Sequence, residues 1–224
     1  MKNIFSLDGP VFSFISRLAD LCVLNLVWLI TSLPVFTIGA STTAMLTLTI
    51  EMVKGNDVKI IRDFFKAFKA NFKRATIIWL IMLGTGLFLG LDYYMFGDMP
   101  GVLGKAVKYL ITFLAVYYSF MLIYIFAILP TYKNTVKNAF RNSVLLPFIN
   151  LPYSLILLGL ILVAIYVTLF DLEFFFKYGF LIWFMLGFAT MAYLSSFIFV
   201  RVFIKDFHEW KEEMDENTEN NLSK

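Results

Sequence analysis

The chain has 224 residues, 60% of them hydrophobic and 18% aromatic, with only 16% charged and a mean hydropathy of +0.78. Soluble domains carry about 25% charged residues, so an ordinary soluble or disordered protein is excluded and most apolar surface must face lipid or other helices. The formal charge is only +3, and a single cysteine, Cys22, rules out an intramolecular disulfide.

At the N-terminus, Asp8, Gly9, Pro10 and Arg17 interrupt any apolar leader, so the first hydrophobic helix is expected to stay as a membrane anchor. From Leu21 to Ile50 no charge occurs, and Pro34 and Gly39 break the run. A single membrane helix needs about 20 apolar residues, and this stretch lies between the lengths of one span and two. Read as a hairpin turning near Pro34, it takes one helix back to Val11 and a return helix over Phe36–Lys54, with Glu51 paired to Lys54 at its end. Read as one crossing, it leaves five spans and an N-terminus on the opposite side.

Gly55–Arg74 is basic and amphipathic. Val58, Ile61, Phe65, Phe68 and Phe72 recur at helical spacing, while Lys59, Arg62, Lys66, Lys69 and Lys73 fall mostly elsewhere on the wheel. That pattern predicts an interfacial helix with aromatics in the acyl boundary and cations toward anionic headgroups. Asn56 or Asp57 is placed to cap its start. Spans follow over Ala75–Phe96 and Ala106–Leu129. Thr131–Asn150 repeats the basic theme with Lys133, Lys137 and Arg141 at every fourth position, beside Tyr132, Val136 and Phe140. Lys66–Asn71 and Asn138–Ser143 echo each other in sequence. Two more spans are expected over Leu151–Phe170 and Tyr178–Val200. The last residues, 206–224, form an acidic tail behind a transmembrane domain over 1–205.

Charge sets the topology. With the hairpin, sixteen of the nineteen basic residues share one side, leaving only Lys105, Lys108 and Lys177 opposite. Basic residues concentrate on the cytoplasmic side, so the expected fold is an all-α polytopic bundle of about six spans in a bacterial cell membrane. Both termini are then cytoplasmic, and two basic amphipathic interfacial helices lie on that side.

Chemistry is sparse. The sole histidine, His208, sits in the acidic tail, and no metalloprotease, dithiol, nucleophile-elbow or phosphate-loop pattern occurs. No catalytic residue, metal or cofactor is expected. Polar groups inside the bilayer are costly and mark function or packing. Asp20, one turn after Arg17, pairs with it or marks a site. Asn25 lies deeper, and the stretch around Pro34, Gly39, Ser41, Thr42 and Thr43 serves either close helix approach or a small polar path. Gly86 and Gly90 form a GxxxG, a mark of close packing within the bundle or between protomers. The phenylalanines beside the cations point to lipid rather than nucleic acid.

Leu7-Asp8-Gly9-Pro10, then Ser16-Arg17-Leu18-Ala19-Asp20-Leu21, Asn25, Trp28, Ser32-Leu33-Pro34-Val35 and Thr37-Ile38-Gly39-Ala40-Ser41-Thr42-Thr43-Ala44 resemble the YesL family of bacterial membrane proteins, a domain of unknown function. Phe64–Leu80 and Thr131–Pro152 extend the resemblance. It implies a polytopic protein linked to sugar utilisation, with no established catalytic residues. The implied role is an accessory or regulatory component of carbohydrate uptake; the alternative is a sugar permease in its own right.

Overall fold

The computed structural model describes residues 10–97, 99–131, 136–170 and 179–203. The described residues are helical, without strands. The helices are α1 (Pro10–Ser32), α2 (Ile38–Val53), α3 (Ile60–Phe96), α4 (Gly101–Thr131), α5 (Val136–Ile149), α6 (Leu151–Phe170) and α7 (Phe180–Phe203). All except α5 are long and apolar enough to cross a membrane, making this a multi-pass membrane protein. Lys2, Lys133, Lys177, Tyr178 and the acidic tail lie outside the described residues.

The uncharged stretch is a helical hairpin, which gives six spans rather than five. Pro34 cannot continue α1, and a short 3₁₀ turn over Val35–Thr37 leads into α2. The Thr37 hydroxyl closes this turn, lying 2.6 Å from both the Thr31 and Pro34 carbonyls. Trp79 of α3 pins it from outside, its Nε1 donating to the Val35 carbonyl at 2.7 Å.

The return helix α2 is the centre of the molecule. Two thirds of its most apolar window, 67%, is buried, against 11–33% for the other five spanning helices. Its apolar residues therefore meet protein, with α3 along one side and α1 and α4 on others. Gly39 makes the closest approach: a Cβ there would stand 2.5 Å from the Trp79 Cβ and 2.7 Å from the Ala75 carbonyl oxygen. Small residues allow such contact between membrane helices. At its other end α2 stops in a Schellman turn. Gly55, at φ +83°, takes the left-handed position, while the Gly55 and Asn56 amides donate to the Met52 and Glu51 carbonyls.

In α3 the element boundary differs from the sequence reading. The basic segment and the following span form one unbroken helix of 37 residues, about 56 Å long at 1.5 Å per residue. Neither proline nor glycine occurs between Ile60 and Leu83, so nothing interrupts the backbone ladder. Asn56 and Asp57 do not cap this helix. Asp63 does so, reaching back one turn to accept the Lys59 N–H at 2.9 Å. The buried stripe is Ile60, Phe64, Asn71, Ala75, Ile78 and Met82, whereas Ile61, Phe65 and Phe72 face outward.

The second basic segment does break from its span. α5 ends at Ile149, and Pro147 and Pro152 remove two ladder donors around the junction. The Ser154 hydroxyl repairs the corner, lying 2.9 Å from the Pro147 carbonyl and 2.9 Å from the Tyr124 hydroxyl of α4. The sequence echo carries a shared burial pattern: Asn71 and Ser143 are buried, while Lys69 and Arg141 are exposed. Gly86 makes room for Tyr118 of α4, whose hydroxyl donates to the Met82 carbonyl at 2.8 Å. A Cβ at Gly90 would meet nothing within 4 Å among the described residues, so of the two glycines only Gly86 packs closely within the bundle.

Candidate functional site

The polar groups of the hairpin are engaged mainly with helix backbones. Asn25, fully buried, joins α1 to α7. Its Nδ2 donates to the Phe184 carbonyl at 2.7 Å and lies 3.3 Å from that of Trp183, while its Oδ1 accepts the Ala189 N–H at 2.9 Å. Residues Trp183–Gly187 form a π turn, in which the Ala189 N–H and Phe184 carbonyl would ordinarily meet. The Asn25 amide occupies the space between them and satisfies both. No donor but water or another side chain is available inside a bilayer, so this amide is what makes the bulge tolerable.

The other candidates fall into place around it. Thr42 accepts the Trp28 indole N–H at 3.2 Å, and Trp28 stacks against Phe188 with ring centroids 4.5 Å apart. Thr43 donates to the Gly39 carbonyl within α2, and Thr49 meets Ser196 of α7 at 2.8 Å. Ser41 is fully buried and its hydroxyl has no partner among the described residues. Pro34 is exposed at the turn. Asp20 is half-buried and forms no ion pair with Arg17, whose guanidinium instead sits over the Tyr193 ring at 5.9 Å. That cation–π contact gives Arg17 a partner on α7 and corrects the expected pairing within α1. None of the candidates lines either of the two cavities described below; Asn25 joins α1 to α7 and Thr42 joins α2 to α1.

A cleft the sequence did not single out opens at the basic end. It has a volume of about 420 Å³ and lies where the end of α2, the 54–59 turn, the first half of α3 and the end of α4 converge. Glu51, Asp57, Asp63, Lys66, Asn71 and Arg74 are among the residues that line it. Glu51 pairs with Lys54 at 2.9 Å, as expected, and with the Asn56 side chain. Arg74 donates to Asn71 Oδ1 at 3.1 Å. Asp63, Lys66, Asn71 and Arg74 share one face of α3, but Glu51 and Asp57 come from other elements, so the sequence alone does not bring them together.

Of the eight cations expected to dock lipid or a partner, Lys59, Arg62, Lys66, Lys69, Lys73, Lys137 and Arg141 are all exposed, and none of their charged groups has a partner among the described residues. Lys133 falls outside those residues. No group of histidine, cysteine or carboxylate side chains among the described residues could hold a metal ion.

Fold and site together define an all-α multi-pass membrane protein in which the polar groups of the hairpin bond mostly to helix backbones. Residues 21–93 match the model of a family described as "Protein of unknown function, DUF624". The uncharacterized protein YesL of Bacillus subtilis (strain 168) is 26% identical over 154 residues, covering 66% of this chain and 71% of that protein. Over these residues the chain is similar to that family and to YesL. No solved structure matches it.

Proposed function

We propose that this protein is a non-enzymatic accessory or regulatory component of a carbohydrate uptake system in the cell membrane, with both termini in the cytoplasm. One observation carries this reading: Lys59, Arg62, Lys66, Lys69, Lys73, Lys137 and Arg141 are exposed and their charged groups have no partner among the described residues, while the polar side chains of the hairpin mostly bind their own helices. Free charge gathered at one end suits docking, and polar groups committed to packing do not suit a solute path.

The length of α3 divides its cations into two tiers. Lys69 and Lys73 stand next to the apolar half and meet anionic headgroups, each such contact contributing about 1 kcal/mol near the surface. Lys59, Arg62 and Lys66 stand up to about 22 Å beyond it at 1.5 Å per residue, where they face a cytoplasmic surface of the uptake system. The link to carbohydrate rests on the family resemblance. Co-purification with a sugar transporter is expected, and it is lost when Lys66, Lys69 and Arg141 become Glu. Purified protein that moves labelled oligosaccharide into liposomes unaided overturns the accessory role in favour of a permease.

A further inference from the structure

A second cavity, about 600 Å³ in volume, lies between α6 and α7 with Leu29 of α1 at its back. We propose that it is a binding site for one acyl chain of a membrane phospholipid, in the leaflet opposite the basic end.

The site exists because α6 leaves the bundle. Its first turns rest on α4 and α5, with Ser154 and Leu157 buried. From Leu158 to Leu169 no residue is buried. The opposite wall is the π turn of α7, which presents Trp183 and Phe184 to the gap. The gap runs from Leu169 and Phe180 at the span ends to Ile161 and Met191 near the middle. At 1.5 Å per residue that is about 12 Å along α6 and about 16 Å along α7. Half of a hydrocarbon core is about 15 Å, the depth of one leaflet's chains.

Its chemistry admits little else. Its single hydroxyl, on Thr168, already donates to the Ala164 carbonyl at 2.7 Å. Its walls are almost wholly apolar, so water there would lack the two to four polar partners it needs. An empty gap would deprive both walls of dispersion contacts. The gap is continuous with the lipid-facing surface of α6 and α7, where Ile165, Leu169 and Phe180 are exposed, so a lipid chain enters sideways without crossing protein.

Native mass spectrometry of the full chain, purified from cell membranes in a mild detergent, tests this. The wild type is expected to keep one phospholipid through delipidating washes. Ala164→Phe places a ring in the gap. Loss of about 60 Å² of apolar contact lowers occupancy about tenfold. Val163→Phe, on the exposed side of the same helix, leaves it unchanged. No retained phospholipid in the wild type, or equal retention in Ala164→Phe, overturns the proposal. If Ala164→Phe fails to fold, Ile161→Trp at the inner end of the gap serves instead, with the same expected loss and the same overturning result.

Discussion

At the residue scale, Asn25 is the most consequential side chain. It satisfies two carbonyls' worth of acceptor and one N–H on a helix from the far end of the chain. A buried group left unpaired costs about 1–3 kcal/mol, although membrane partners rearrange and measured interhelical bonds average about 0.6 kcal/mol. Asn25→Leu is therefore expected to destabilise by about 2 kcal/mol in detergent unfolding, whereas Ser41→Ala, which removes an unpaired hydroxyl, stays within about 0.5 kcal/mol of the wild type. Equal stabilities for wild type and Asn25→Leu would show that the π turn holds itself. Both residues were visible in the sequence as intramembrane polar groups. What the sequence did not distinguish was packing from ligand contact, because a polar side chain in an apolar run carries the same signal in either role.

Among the elements, α3 shows how far charge patterning reaches. The basic stretch before Ala75 reads as a separate surface helix, yet backbone hydrogen bonding does not depend on side-chain charge, and no glycine or proline divides the two halves. Spin labels at Arg62 and Tyr94, both exposed, are expected about 48 Å apart along a continuous helix. A right-angled bend at Arg74 would bring them to about 35 Å with the same rise per residue, and pulsed dipolar spectroscopy separates the two. The choice of inward face was also hidden. Phe64 and Phe65 are adjacent and equally apolar, but Phe64 is buried and Phe65 looks outward. Lipid tails are as apolar as a protein core, so periodicity marks both faces without saying which meets protein. In α5 and α6, by contrast, Pro147 and Pro152 made the corner legible.

For the whole molecule, parity of charge resolved the hairpin, and the two helices stand close to the lengths that parity required. The proposed orientation, with both termini in the cytoplasm, rests on the same count. In a Cys22→Ala background, Lys2→Cys is expected to react with a membrane-impermeant maleimide only after cells are opened; reaction in intact cells reverses the assignment. The position of α2 had no signature beyond its small residues. Its uncharged sequence fits a lipid-facing span as well as a central one, and only Gly39 against Ala75 and Trp79 shows that protein surrounds it. The cleft around Glu51, Lys66 and Arg74 was likewise invisible, because three elements converge on it.

The splice at Asn25 also orders events in time. A ribosome releases α1 long before α7, and domains assemble as their chain emerges. Until α7 enters the bilayer, the amide of Asn25 has no Phe184 carbonyl to bind, and the π turn in turn has no amide to receive. The earliest helix of the described chain therefore waits for the latest one, and a nascent protein halted after α6 carries an unmet polar group within its first span.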